Sequence, residues 1–291
     1  MAKGKARTKL LDHSAGLVEG SAASGSWDFL YQANTVKHPD YNVGDRVALP
    51  DGRVFRYAKC GLTLTDMKGA CYGYQRLITE KDAIAVAADI GDSVIELTFA
   101  DTDYGVGGAG VIAKDELRGG FISFYRDTVR QQRGIIGNTA RANGDTGNTT
   151  VYLDAALTTA VNEDDYVEVL PNPYGDLRGG AGGEQFGIWC SVMGMPNVKA
   201  TTGQYFWVQT WGPFRVSPTA AELGVNQGER MTYFGGNGCV CSYQQMITAV
   251  GCAATPGAHP THAYQPAGPI IERCTGDAGS AAPFINLQIN P

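Results

Sequence analysis

Short runs of alternating apolar and polar residues, bounded by Gly, Asn, Asp or Pro, are the feature that most limits the fold of this chain. In VIELTF, for example, Ile95, Leu97 and Phe99 share one side of an extended segment. The runs FISFY, TTVYL, YVEVL and QYFWVQT alternate in the same way. A period of two predicts half-buried strands, and 39 glycines among 291 residues favour turns over long helices. We therefore predict a mostly-β protein of short antiparallel strands.

Two breaks in this pattern predict the domain organisation. Residues 1–27 are basic and then small and polar, which predicts an extended N-terminal arm. The sequence PNPYG, followed closely by GGAGG, interrupts the strands near residue 175, because prolines stop strands and glycine runs form loops. We predict two sandwich-like or barrel-like β modules over 28–175 and 176–291. The second module is expected to contain a long Gly/Pro-rich loop near 253–283.

The overall charge argues against a protein that binds specific nucleic-acid sequences. The formal net charge is −6 and the isoelectric point is near 5.2, whereas such proteins carry a basic domain or stripe. The exception is the arm, where Lys3, Lys5, Arg7 and Lys9 precede the first acidic residue. These four side chains either contact an acidic partner or form a solvated polar terminus. We also expect no signal peptide and no membrane partner, because no segment approaches ~20 consecutive apolar residues.

The seven cysteines are odd in number and irregularly spaced, which predicts reduced, buried thiols in a protein assembled in a cytoplasm. One constellation has residue types that could bind zinc: Cys239, Cys241, Cys252, Cys274, His259 and His262. A Cys-x-Cys pair on a strand points both thiols to one face, as a zinc site requires. The alternative is that these cysteines are small apolar core residues. We predict the second, and therefore neither a metal nor a cofactor.

Motifs for catalysis are weak. The stretch GVGGAG at 105–110 has the spacing of a dinucleotide-binding loop, but a turn and a strand follow it where that site needs a helix. No G-x-S-x-G motif occurs, and the four histidines lie in predicted loops or in the arm. Glycoside hydrolysis needs two carboxylates ~5–9 Å apart. The densest acidic clusters, Asp101 with Asp103 and Glu163 with Asp164 and Asp165, are typical of turns. We predict a protein that is not an enzyme.

Several aromatic residues are candidates for contacts with partners, since interfaces are enriched in Tyr and Trp. Trp27 and Tyr31 stand where the predicted arm meets the body, and Trp207 and Trp211 stand in the most aromatic strand. Together with the four basic residues of the arm, they form the predicted set of partner-binding residues.

Several segments of the sequence resemble virion proteins of tailed bacteriophages. The run YNVGDRVALPDGRVFRYAKCG resembles the N-terminal portion of such proteins. Three later phrases fit the same group, namely RGGFISFY, VEVLPNPYGDL and GQYFWVQTWGPFRV. Together these phrases touch most of the chain from about residue 31 onward, and none is a catalytic motif. The basic arm and the seven cysteines are not part of the resemblance.

The resemblance implies an auxiliary capsid protein of the decoration or cement type. Such proteins lie on the outer shell of the virion, often as trimers, and reinforce the joints between coat subunits. The implied partners are the major capsid protein and further copies of this chain, as a homotrimer or a dimer, after synthesis in the host cytoplasm. Two alternatives stay open: a tail, baseplate or adhesion protein that binds host glycan, and a β-rich glycan hydrolase.

Overall fold

The computed structural model describes residues 27–72, 78–81, 84–99, 111–126, 129–142, 148–179, 191–218, 230–234, 238–242, 265–272 and 282–289. These residues form sixteen strands and one turn of 3-10 helix, with no α-helix among them. They divide into two compact units. The inserted unit lies within 74–175, and the host unit comprises 27–73 together with 176–289. The predicted mostly-β fold with two modules is confirmed.

The 3-10 turn is Asp28–Tyr31. The strands in chain order are β1 (Arg46–Ala48), β2 (Val54–Leu62), β3 (Ala70–Tyr72), β4 (Ile78–Lys81), β5 (Val94–Leu97), β6 (Phe121–Arg126), β7 (Val129–Asn138), β8 (Thr149–Leu153), β9 (Tyr166–Leu170), β10 (Leu177–Gly179), β11 (Val192–Pro196), β12 (Tyr205–Arg215), β13 (Met231–Phe234), β14 (Val240–Ser242), β15 (Pro266–Glu272) and β16 (Phe284–Gln288). No helix in the described part of the chain has the length and apolarity of a membrane span.

The host unit is built on a ten-stranded sheet in the order β1-β2-β10-β3-β11-β12-β16-β15-β13-β14. Strand β2 also pairs with β12, so that β2, β10, β3, β11 and β12 close a ring of five strands. All pairings are antiparallel except that of β2 with β10, which is parallel. Strands that are about 150 residues apart in sequence are therefore hydrogen-bonded neighbours.

The domain boundaries differ from those predicted. Residues 28–72 were assigned to the first module, but β2 pairs with β10 and β12 of the second. The physical reason is that alternation predicts that a segment is extended and says nothing about which strand it pairs with. The predicted break near residue 175 does coincide with the end of the inserted unit.

The inserted unit contains one antiparallel sheet in the order β4-β9-β6-β7-β8-β5. Its inner face is buried through alternate residues: Ile95, Leu97, Ile122, Phe124, Val151, Leu153, Val167 and Val169. Three irregular segments, 84–88, 112–117 and 157–161, cover this face with Ile84, Ile112, Leu117, Leu157 and Val161. The opposite face, which we call the outer sheet face, carries the intervening side chains. This is the usual arrangement of an antiparallel sheet with one face toward solvent.

The chain leaves and re-enters the host unit at adjacent positions. Tyr72 at the end of β3 is the Cα partner of Leu177 at the start of β10. In the inserted unit, Ile78 of β4 is likewise the partner of Val169 of β9. The two junctions therefore have the geometry of a domain inserted into a surface turn of another.

The predicted loop near 253–283 is partly wrong, because residues 266–272 form β15 between β13 and β16. Proline normally avoids internal strands, since it cannot donate a backbone hydrogen bond. Here the register of β15 shifts on both sides, and Gly268 has φ 141° and lies directly against the carbonyl oxygen of Asn286. These irregularities accommodate Pro266 and Pro269. The rest of the predicted loop up to residue 281, and the arm up to residue 26, lie outside the described residues.

Candidate interaction surfaces

An aromatic cluster fixes the point at which the N-terminal segment joins the host unit. Phe29 of the 3-10 turn lies edge-on to Trp207, with ring centroids 5.8 Å apart, and is stacked on Tyr41 at 6.0 Å. Trp207 also lies 5.1 Å from Tyr41 and from Tyr57. We call this the arm-root cluster; its members are Trp27, Phe29, Tyr41, Tyr57, Tyr205 and Trp207. Each aromatic pair of this kind contributes about 0.5–1.5 kcal/mol beyond the burial of area.

The arm-root cluster follows from the alternation of β2 and β12. Tyr57 and Trp207 are direct cross-strand partners, so their rings lie on the same face of the sheet. The hydroxyl of Tyr57 accepts a hydrogen bond from the backbone N–H of His38 at 3.0 Å. Burial raises the pKa of Tyr57 above its ordinary value. The cluster therefore also anchors the segment that connects the 3-10 turn to β1.

A second set of contacts connects the 3-10 turn to the β1–β2 hairpin. The carboxylate of Asp51 accepts hydrogen bonds from the backbone N–H of Arg53 at 3.0 Å and from its Nε at 2.7 Å. The Nη1 of Arg53 donates to the hydroxyl of Tyr31 at 2.6 Å. Because Asp51 and Gly52 (φ 87°) form the tip of the hairpin, this turn is also the attachment point of Tyr31.

The predicted partner-binding residues are not brought together as one site. Lys3, Lys5, Arg7 and Lys9 lie outside the described residues. Trp27 is half-buried in the arm-root cluster, and Tyr31 is 42% exposed beside Arg53. Trp211 is half-buried on β12 opposite Gln288.

Trp207 requires a correction, because it is only 2% exposed. Its ring fills the space between the 3-10 turn and β2, where it contacts Phe29, Tyr41 and Tyr57. Trp207 therefore stabilises the host unit from its core and offers no surface to a partner. Alternation in the sequence could not show which of the two faces of β12 is covered.

The outer sheet face of the inserted unit is a surface that the sequence analysis did not single out. It exposes four large side chains: Val94 (45%), Phe121 (42%), Tyr152 (39%) and Tyr166 (39%). The only sequence signal was the aromatic residue at the outward position of FISFY, TTVYL and YVEVL. Aromatic residues on a solvent-facing sheet are characteristic of interaction surfaces.

Two tyrosines on the outer sheet face are stacked on each other. Tyr125 of β6 and Tyr166 of β9 are cross-strand partners, and their rings are stacked with centroids 5.3 Å apart and planes within 9°. Glu168, two residues further along β9, lies on the same face of the sheet as Tyr166, close enough for its charge to act on the hydroxyl of Tyr125. Partial desolvation, followed by the negative charge of Glu168, raises the pKa of Tyr125.

The structure describes four of the cysteines, and all four are buried: Cys60, Cys71, Cys239 and Cys241. Two of the six residues considered as possible zinc ligands are described: the Sγ of Cys241 lies 3.5 Å from the carbonyl oxygen of Tyr233, and that of Cys239 lies 3.8 Å from the hydroxyl of Ser217. The other four members, Cys252, Cys274, His259 and His262, lie outside the described residues. Within the described ranges no three His, Cys, Asp or Glu side chains are placed to hold a metal ion.

The weak catalytic candidates are only partly described. The GVGGAG stretch, Asp101 and Asp103 lie outside the described residues. In the other acidic cluster, Asp165 is 2% exposed and its carboxylate accepts a hydrogen bond from the backbone N–H of Asn162 at 2.8 Å. The backbone N–H of Asp165 in turn donates to the carbonyl oxygen of Asn162 at 3.0 Å, so this acidic residue closes a turn.

Comparison of the chain with protein-family models, with curated proteins and with solved structures gives no match. Function therefore has to be inferred from the residues and geometry described above. Those residues provide two surfaces suited to binding, the arm root of the host unit and the outer sheet face of the inserted unit.

Proposed function

We propose that this chain is a virion structural protein of the capsid decoration type, which binds the assembled outer shell and stabilises contacts between major capsid protein subunits. The observation that carries the proposal concerns two of the phrases that resemble tailed-phage virion proteins. Residues 41–61 cover β1 and most of β2, and residues 203–216 cover β12. These strands pair directly, from Tyr205 with Lys59 to Trp211 with Val54. Two sequence segments that are far apart in the chain are thus neighbouring strands of one sheet. This favours the view that their resemblance to phage virion proteins reflects a shared fold and is not a chance similarity of short segments.

The arm root supports a role for the N-terminal segment in binding the shell. The residues immediately after this segment are held by aromatic packing and by the Tyr31–Arg53 hydrogen bond. Contacts made by residues 1–26 with a coat subunit would therefore be transmitted to a rigid base. Ordering an arm costs about 1–2 kcal/mol per residue, which contacts with the shell must offset. The basic residues of the arm suit an acidic surface.

A decoration protein needs no catalytic group. A protein that binds the assembled shell but not its separated subunits stabilises the shell by linkage, by an amount that grows with the logarithm of one plus its free concentration divided by its Kd. The host unit and the inserted unit then need only to present complementary surfaces. Two or three copies of the chain acting together would increase the occupancy of neighbouring sites.

The experiment that tests the proposal is the ratio of this chain to the major coat protein in purified, DNA-filled particles, measured by quantitative mass spectrometry. We expect a ratio near one or a simple fraction of it, because a cement protein covers the whole shell. A handful of copies per particle would assign the chain to the tail or a vertex, and absence from particles would contradict a virion role.

Removal of residues 1–20 tests the arm. We expect the truncated protein to remain folded, because the arm-root cluster begins at Trp27, and to occupy fewer sites on shells in a co-sedimentation assay. A full-length variant with Lys3, Lys5, Arg7 and Lys9 changed to Gln is the matched control, which separates the charge of the arm from its length. Undiminished occupancy of the truncated protein would contradict the proposed role of the arm.

A tail or adhesion protein that binds host glycan is the second candidate. The observation that favours it is the outer sheet face, where exposed Phe121, Tyr152 and Tyr166 offer aromatic rings to sugars. The copy number separates the two candidates, since adhesion proteins are present in few copies per particle.

A further inference from the structure

The tyrosine pair on the outer sheet face has a geometry suited to a covalent reaction between its two rings. Tyr125 and Tyr166 are stacked at 5.3 Å with nearly parallel planes, and each is fixed on its strand by the β6–β9 pairing. Tyr166 is 39% exposed and Tyr125 is half-buried, so a reagent in solution can reach the pair. Stacked phenol rings held by neighbouring strands place their ortho carbons within reach of one another after small side-chain rotations.

Glu168 supplies the second element of the site. Its carboxylate lies on the same sheet face as the two rings, near the hydroxyl of Tyr125. A phenol that loses an electron becomes a strong acid, so its oxidation is easier when a nearby base can take the proton in the same step. The neighbouring Tyr166 ring is then the nearest partner for the radical that forms.

We propose that Tyr125 and Tyr166 form a modification site, at which a one-electron oxidant of the haem-peroxidase class, acting with hydrogen peroxide, joins the two rings by a carbon–carbon bond. Each phenol loses one electron and its hydroxyl proton. The two radicals couple at their ortho carbons, and each ring then restores its phenol by moving the displaced ring hydrogen to oxygen. The pair loses two electrons and two protons in total, which reduce one hydrogen peroxide to two molecules of water.

The environment makes this pair selective among the described tyrosines. Tyr57 and Tyr205 are also stacked, with centroids 6.0 Å apart, but Tyr57 is only 3% exposed and belongs to the arm-root cluster. Tyr152 matches Tyr166 in exposure at 39%, but no tyrosine ring is stacked on it within the described ranges. Only the Tyr125–Tyr166 pair therefore combines a stacked partner, access from solvent and a nearby carboxylate in this part of the chain.

The modification would tie β6 to β9 across the middle of the sheet. The new bond closes a loop between residues 125 and 166, which restricts the unfolded chain in the way that a disulfide does. The inserted unit, which contains no cysteine and so cannot form a disulfide, would gain a covalent cross-link of another kind. The inference is independent of shell binding and does not rest on the proposed function.

The test treats the full-length protein with horseradish peroxidase and a limiting amount of hydrogen peroxide. We expect the blue fluorescence of dityrosine, a product that is still monomeric, a mass lower by two hydrogen atoms, and a cross-linked peptide that joins residues 125 and 166. Tyr125→Phe and Tyr166→Phe should each abolish that peptide, and Tyr152→Phe, the matched control, should leave it unchanged. Absence of the peptide from the wild-type protein, or cross-links formed only between molecules, would overturn the proposal.

A Glu168→Gln variant tests the role of the carboxylate. We expect the initial rate of cross-linking to fall several-fold near neutral pH, because the amide does not accept the phenolic proton. The difference should disappear at alkaline pH above the raised pKa of Tyr125, where the phenol ionises and no longer needs a base. A rate that follows the same pH profile in both proteins would show that Glu168 only positions the ring.

Discussion

At the scale of single residues, Gly61 in β2 shows how a packing contact can require glycine without any unusual backbone angle. The carboxylate of Asp176 lies where a side chain at position 61 would stand. Asp176 is 7% exposed and pairs with Arg178, whose Nη2 lies 2.9 Å from its Oδ2. The backbone of β2 thus packs directly against the Asp176–Arg178 ion pair. A larger residue at position 61 must displace the carboxylate of Asp176.

We predict that Gly61→Ala lowers the free energy of unfolding by about 1–3 kcal/mol, the usual cost of overpacking. The urea midpoint followed by tryptophan fluorescence measures this effect. All four tryptophans lie outside 74–175, so the signal reports the host unit alone. In an Asp176→Ala background the same substitution should cost clearly less, because the obstructing carboxylate is gone. Equal costs in the two backgrounds would contradict the packing explanation.

Cys60, the neighbour of Gly61, gives a prediction about pH. Burial, opposed by backbone hydrogen bonds and reinforced by the charge of Asp176, raises the pKa of its thiol to about 11. Since the pKa in the folded protein exceeds the ordinary value, the neutral thiol contributes stability that is fully present below pH ~9. That contribution is lost as the pH rises to about 11.

A Cys60→Ser variant isolates this effect, because serine does not titrate in this range. We expect wild-type protein to lose more unfolding free energy than the variant between pH 8 and pH 11, as measured by urea titration at each pH. The comparison cancels the titration of tyrosines and lysines common to both proteins. Parallel pH profiles would show that Cys60 ionises as easily in the folded protein as in the unfolded chain.

At the scale of elements, β12 carries two tryptophans in different surroundings. Trp207 is 2% exposed within the arm-root cluster, whereas Trp211 is half-buried beyond a register shift that follows Gln209. We predict that Trp207→Ala costs about 3–5 kcal/mol of unfolding free energy, as expected for a core aromatic. Trp211→Ala should cost much less in the same urea titration, which makes it the matched control on the same strand. A larger loss for Trp211 would reverse this assignment of core and surface.

Elements whose core face is marked by alternation could be predicted from the sequence. In VIELTF, residues 95, 97 and 99 are buried and residues 94 and 98 are exposed, as the period of two requires. The β1–β2 hairpin is likewise marked in the sequence, because the turn residues Pro50, Asp51 and Gly52 stand between its two strands. Strand β15 was missed, because two prolines and a glycine indicate a loop unless register shifts in the neighbouring strands accommodate them.

The candidate surfaces were less predictable than the strands. Trp27 and Tyr31 were predicted to bind a partner from their position after the arm; the structure shows Trp27 packed in an aromatic cluster and Tyr31 hydrogen-bonded to Arg53, and their role in binding stays a prediction. The Tyr125–Tyr166 pair could not be predicted, because it depends on which strand lies beside β6. The register that pairs residue 125 with residue 166 is a property of the whole sheet and leaves no mark in either strand alone.

At the scale of the whole molecule, the junctions predict that the inserted unit can be removed. Because Tyr72 and Leu177 are cross-strand partners, joining Gly73 to Asp176 through Asn-Gly leaves a four-residue hairpin loop. We expect the shortened protein to retain the tryptophan emission and the cooperative urea unfolding of the host unit. The isolated segment 74–175 should give a β-type circular dichroism spectrum, because it has its own core.

A joint of the same length with Val-Val in place of Asn-Gly is the control for the turn itself. It should fold less stably, because tight hairpin turns need a positive φ at a central residue, which β-branched residues avoid. Loss of cooperative unfolding in both shortened proteins would show that the host unit depends on the inserted unit, contrary to their separate cores.

The pairing of β2 with β12 has a consequence for the order of events during translation. Strand β2 is made early, but its neighbours β10 and β12 follow more than a hundred residues later. The inserted unit, by contrast, has all of its strands once residue 170 has left the ribosome. At ~5–20 residues per second, β2 waits for several seconds while the inserted unit can already fold. The sheet of the host unit is therefore still incomplete when the inserted unit can fold, and β2 acquires two of its neighbours only after the strands of the inserted unit have been made.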